Sequence, residues 1–348
     1  TALERRRWRL GAERFDEMLA HHYRLDVTAE ELFDKGRALI AAHQERLRAI
    51  AAEDTKGRSW TEILDDARRD HPGAAGLLDA YRDEVALARR HVAAAGIVSL
   101  PPGERCSVGE VPEYLRHGLP MGVMDVVSPF GPDLLSSLLI TPVDVTAPDG
   151  GAGHLAESNR SFLRSIVGHE TYPGHHVQGL HHKLAFAGLP ACALHRNPSF
   201  VEGWGLYTED VLQQAGLFDT VELQITKERN GLWRAARLVV DSGLHSDKLS
   251  ADEAVALLER DCVMSTHMAA GEVQRYLRHD NATYPSAYVL GAERFRALRG
   301  WWDRRGRPAA ELGGFHDLLL SAGSPPIGLV TEKLLEALEE LGAAGSAS

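Results

Sequence analysis

Cysteine, basic charge and long apolar runs are all in short supply in this chain, and each shortage excludes something. The three cysteines among 348 residues, Cys106, Cys192 and Cys262, lie far apart and in none of the spacings that hold a metal. A disulfide-stapled scaffold and a thiolate site are therefore excluded, and reduced thiols point to a cytoplasmic setting. No apolar run approaches the ~20 residues of a membrane-spanning helix. Lysine and arginine total 38 against 49 aspartates and glutamates, a formal charge of −11. That balance argues against nucleic acid and against an anionic membrane surface as partners. The basic start ERRRWR has no apolar stretch behind it, so no signal peptide is expected, and a processed or trimmed start fits equally. With no internal repeat or long linker, the expectation is one mostly helical catalytic unit over residues 1–348.

Within it, residues 1–96 read as a helical scaffold. Thr28–Glu31 and Ser59–Glu62 fit the S/T-x-x-E capping box that opens a helix, the first running to about Glu53 and the second ending near His71-Pro72. Residues 97–153 change character, with strand-like IVSL, SVGEV and SSLLITPVDV among prolines and glycines. They predict a small sheet, with Leu138 to Val143 as a candidate edge for an extended substrate. Residues 154–341 return to helices, including a capped start at Ser250–Glu253 and an amphipathic last helix from Leu329 to Leu341. The class is mainly α, with a small β-sheet beside the motif helix.

What the chain does have is histidine beside glutamate. Ile166 to Gln178 reads IVGHETYPGHHVQ, placing His169, Glu170, His175 and His176 around a Pro173-Gly174 break. In H-E-x-x-H, two histidines one helical turn apart bind zinc and the glutamate polarises a water. Here His169 and His175 are six positions apart, ~9 Å along a straight helix and ~120° around it. His176 faces the right way but lies ~10.5 Å along the axis. Neither shares an ion with His169 on an unbroken helix. Pro173 supplies the break, since its ring clashes with the carbonyl of His169 four residues earlier, and Gly174 tolerates unusual backbone. A bulge there brings His175 back to His169, with His176 as the alternative metal ligand.

Downstream, SFVEGWGLYTED (Ser199 to Asp210) supplies Glu202 and Glu209. Ser199 to Glu202 also fits a capping box, which would leave Glu202 a purely structural role. Gly203-Trp204-Gly205 speaks for something closer, because glycines in a first turn signal the approach of another backbone. Arg237, Asp241 and His245 step by four and share a helix face, either as a salt-bridge ladder or as an oxyanion-stabilising lining ending in His245. Arg275, Tyr276, Tyr284 and Tyr288 are candidates for holding a substrate carboxylate or an oxyanion. His181 and His182 read as rim residues.

HETYPGHHVQ followed by FVEGWGLYTED resembles the domain-of-unknown-function 885 family, helical proteins described as zincin-like. The second stretch is also similar to the glutamate-ligand helix of aminopeptidase-type gluzincins, N-E-G-F-A-x-Y-x-E. Further matches include LFDKGRALIAAHQERLRAIA, RLVVDSGLHSDKLSADEAV and YPSAYVLGAERFRALR, so the resemblance covers most of the chain. It implies a large helical zincin-like fold with Glu202 as third ligand, Glu170 as base and Glu209 as a carboxylate behind the ligands. Asp241 and His245 fall within family-like sequence. The chain is shorter than the family's usual length, as if an N-terminal region were missing.

The resulting expectation is a zinc-dependent hydrolase, of a metallopeptidase, carboxypeptidase-like or amidase kind. His169, His175 and Glu202 bind Zn2+, Glu170 acts as base, and His245 or Tyr288 stabilises the oxyanion, with Arg237, Asp241 and Glu209 in support. A peptide or small amide or carboxylate is the expected substrate. Two histidines and a carboxylate also describe an Fe2+ oxygenase site, and a non-catalytic metal-binding or scaffold protein is the third class.

Overall fold

A computed structural model describes residues 8–346 apart from 117, 120 and 307–310, so most of the basic start lies outside it. Four helices come first: α1 (Ala12–Met18), α2 (Ala29–Ala52), α3 (Trp60–Arg69) and α4 (Gly73–Ala95). The capping boxes at Thr28 and Ser59 form as expected, each hydroxyl accepting from the backbone N–H three residues on. The sheet follows, with β1 (Arg105–Glu110), β2 (Gly122–Asp125) and β3 (Leu135–Ile140) in the order β1-β3-β2. β3 runs parallel to β1 and antiparallel to β2. The stretch predicted as an edge, Leu138 to Val143, thus begins in the central strand, and both its sides are taken. Residues 97–100 form no strand.

The remaining helices are α5 (Ala152–Glu157), α6 (Arg160–Glu170), α7 (His175–Ala185), α8 (Pro198–Gln214) and α9 (Val221–His245). Then come α10 (Ala251–Cys262), α11 (Thr266–Tyr276), α12 (Tyr284–Arg304), α13 (Leu312–Ser321) and α14 (Glu332–Ser346). The last of these runs past the expected stop at Leu341. α9 organises the packing, because it is buried on nearly every side and lies between two cores. Leu232, Ala236 and Val240 pack with α2, α3, α10 and α11. Leu223 and Leu238 join the larger core of α4, α6, α8, α12 and the sheet.

α8 and α12 cross with no side chain between them. A Cβ on Gly203 would lie 2.4 Å from the Cα of Gly291, so both positions need glycine for this approach. Gly203 therefore does mark a close backbone, as its placement predicts, whereas Gly205 makes room for the His169 ring.

Candidate metal centre

The motif helix breaks where proline and glycine demand it. α6 is capped by Asn159, whose side chain accepts from the Phe162 N–H at 2.9 Å, and it ends at Glu170. Residues 171–174 turn the chain, and α7 restarts at His175. Pro173 offers its carbonyl to the Trp204 indole N–H at 2.9 Å, tying the turn to α8. Gly174 folds directly over His169, and a Cβ there would come 1.7 Å from the His169 carbonyl oxygen.

This turn places two imidazoles edge to face, with ring centroids 4.8 Å apart. His169 Nε2 stands 3.7 Å and His175 Nε2 3.4 Å from the same oxygen, Oε2 of Glu202. All three side chains are buried, and one ligand atom from each lies within 4.8 Å of the others. Tetrahedral zinc with bonds of ~2.0–2.1 Å sets its ligand atoms ~3.3 Å apart, so the donor set fits such an ion. Glu202 Oε2 has no hydrogen-bond partner among the described residues. A buried carboxylate oxygen left this way calls for a cation.

The neighbours hold these donors in place. Glu209 Oε1 meets His169 Nδ1 at 2.9 Å, which leaves Nε2 pointing at Glu202. Tyr284 donates its hydroxyl to Glu202 Oε1. Tyr288 stacks beside His169 at 6.1 Å, and the Arg237 guanidinium lies 4.6 Å from the Tyr288 ring. Burial works against a charged His169, but Glu202 and Glu209 outweigh it and push the imidazole up to about 9. Burial alone would raise Glu202; the two histidines bring it well below the usual carboxylate range. The Glu202 carboxylate first, then burial, raises the Tyr284 hydroxyl, and burial followed by Glu202 raises that of Tyr288, so both stay protonated. Glu170 is half-buried next to His169, and no described residue bonds its carboxylate.

Several expectations need correction. His176 is not a ligand, because it faces the sheet. Its Nδ1 meets Ser136 Oγ at 2.8 Å and its Nε2 meets Glu104 Oε2 at 2.9 Å. Burial would raise Glu104, but hydrogen bonds from His176, Tyr172 and Arg89 bring it down to about 2. His176→Ala should accordingly keep the metal and lose about 2–4 kcal/mol of stability by stranding that carboxylate. His175→Ala should do the reverse, and elemental analysis beside thermal denaturation separates the two. Glu202 does not cap α8 either. Asn197 caps it and Pro198 takes the first turn, so Ser199 lies inside the helix. His182 is a buried link between the Ala193 carbonyl and Ser324 rather than a rim residue.

His245 is not among the residues brought to the triad. It packs on Phe15 and Trp8, and its Nε2 meets the Tyr276 carbonyl at 3.1 Å. Asp241 caps α12 instead, accepting from the Thr283 N–H at 3.3 Å and the Ser286 hydroxyl at 2.6 Å. Burial raises its carboxyl to about 7, against the pull of those bonds. The folded protein keeps a proton there that the unfolded chain releases near ~3.9, so stability falls as pH rises from about 4 to about 7 and then levels. Asp241→Asn removes this loss. Urea denaturation at pH 5 and pH 8 should show the wild type losing about 2 kcal/mol more than the variant. Tyr284, a candidate in the sequence for holding a substrate carboxylate or an oxyanion, instead bonds Glu202, a pairing with no signature in local sequence.

A helical protein with a buried two-histidine, one-glutamate cluster is the class this fold and site define. The chain belongs to the family described as bacterial protein of unknown function (DUF885), whose pattern it matches over residues 2–334. No curated protein matches it. Among solved structures it is similar to a protein of unknown function from Shewanella oneidensis, provisionally described as a lipoprotein, at 20% identity and a TM-score of 0.78. A second, from Colwellia psychrerythraea and described likewise, shares 19% identity with a TM-score of 0.79. The matches cover 96% and 94% of this chain but only 60% and 55% of those proteins. At these identities the likeness establishes the fold alone.

Proposed function

We propose that this protein is a zinc-dependent hydrolase of the metallopeptidase or amidase type, with His169, His175 and Glu202 holding the ion. The observation that carries the reading is the meeting of two imidazole nitrogens on one unpartnered buried carboxylate oxygen. Bound there, zinc would act as a Lewis acid and lower the pKa of water. Glu170, beside His169 and with its carboxylate bonded by no described residue, would take the proton as water attacks a carbonyl. Tyr288, kept protonated, donates to the developing oxyanion in place of His245. Glu209 fixes the His169 tautomer, and Tyr284 fixes the orientation of Glu202. Peptides and small amides are the substrates this chemistry suits.

The test is elemental analysis of protein purified without chelator, alongside His169→Ala. About one zinc per chain, lost in the variant, is the expected result. Iron in its place would favour an oxygenase. No metal in folded, metal-replete protein would leave a non-catalytic scaffold.

A further inference from the structure

β1 is an outer strand of the sheet, and its ladder to β3 uses alternate residues. The Arg105 N–H reaches the Leu134 carbonyl and the Val111 N–H the Ile140 carbonyl, both at 2.9 Å. In a parallel pair those between them on the same parity bond the same neighbour. Cys106, Val108 and Glu110 therefore turn their N–H and C=O groups away from β3. No described residue bonds these groups. An edge of this kind is ordinarily covered or blunted.

Here it borders a groove of about 740 Å³, walled on the far side by Arg82, Val85 and Arg89 of α4. Tyr172, from the turn that joins His169 to His175, lines it too. The groove also reverses the charge of the molecule. Three arginines, Arg82, Arg89 and Arg105, line it against one glutamate, Glu104. Glu104 is already engaged by Arg89, Tyr172 and His176. Arg82 reaches only the exposed Asp79, and the Arg105 guanidinium has no hydrogen-bond or ion-pair partner among the described residues.

We propose that this groove is the substrate cleft and that it takes an extended peptide bearing acidic side chains, paired by its backbone to the outer edge of β1. The proposal rests on the hydrolase reading for its chemistry but not for its binding. Backbone pairing supplies register, and the arginines supply selection for carboxylates.

The test is binding without turnover, by fluorescence anisotropy of labelled hexapeptides, alternating alanine with either aspartate or lysine, on the Glu170→Gln protein. The aspartate peptide should bind roughly tenfold tighter, and Arg105→Glu should erase that preference. Val108→Pro should weaken both peptides, because it removes an outward N–H and no ladder bond. Equal affinity for the two peptides, or a preference that survives Arg105→Glu, overturns the proposal. Metal-dependent turnover by the wild type with no charge preference would discard the groove and keep the hydrolase. Charge-selective binding by a protein that holds no metal would do the opposite.

Discussion

Glu170→Gln is expected to leave the metal in place and to lower kcat roughly 10²–10⁴-fold. Glu170 contributes no donor atom to the cluster, which consists of His169, His175 and Glu202. No described residue bonds its carboxylate, so the amide strands no buried partner and stability should change by about 0.5 kcal/mol or less. What the substitution removes is the proposed base, in a half-buried position beside His169. An interaction made only as the proton moves lowers kcat and kcat/KM together, which distinguishes it from a substrate contact that raises KM alone. Metal content is measured on the same preparation. Unchanged turnover with full metal would falsify Glu170 as the base.

The contrast between what was legible and what was not follows the range of the interactions. The capping boxes at Thr28, Ser59 and Ser250 were readable because each closes within three residues, and all three form. The break at Pro173-Gly174 was readable because proline and glycine restrict their own backbone. The same local logic offers a false alternative at Ser199–Glu202, where the capping pattern is present but Asn197-Pro198 starts the helix two residues earlier. His175 and His176 were inseparable in the sequence. The direction in which α7 leaves the turn depends on the Gly174 dihedrals, and His176 is claimed by Glu104, 72 residues away. The sheet order β1-β3-β2 is nonlocal pairing of the same kind. His245 shows the limit of periodicity. It shares a helix face with Arg237, but eight residues of rise carry it ~12 Å along the axis and out of the site.

Gly205→Ala is expected to strip the metal from a protein that still folds. A methyl group at this position would lie 2.7 Å from both Cε1 and Nε2 of His169, closer than packed atoms come. The ring cannot simply slide, because Glu209 holds its Nδ1 at 2.9 Å and Tyr288 stacks on its face. Relief requires tilting the imidazole, which carries Nε2 away from Glu202. α8 itself is not harmed, since alanine is favoured over glycine in a helix by ~1 kcal/mol. The loss therefore falls on the donor geometry. Disturbing the groups that orient a ligand costs 10–100-fold in metal affinity, and displacing the ligand itself should cost at least ~10². Chelator competition measures it, with circular dichroism to show that the helices remain. Gly203→Ala, two residues away, is the control with the opposite outcome. Its methyl meets the Gly291 backbone, forces α8 and α12 apart, and should lower thermal stability before it affects the metal. Unaltered metal affinity in Gly205→Ala would mean that His169 has room to move and is not the fixed ligand the site requires.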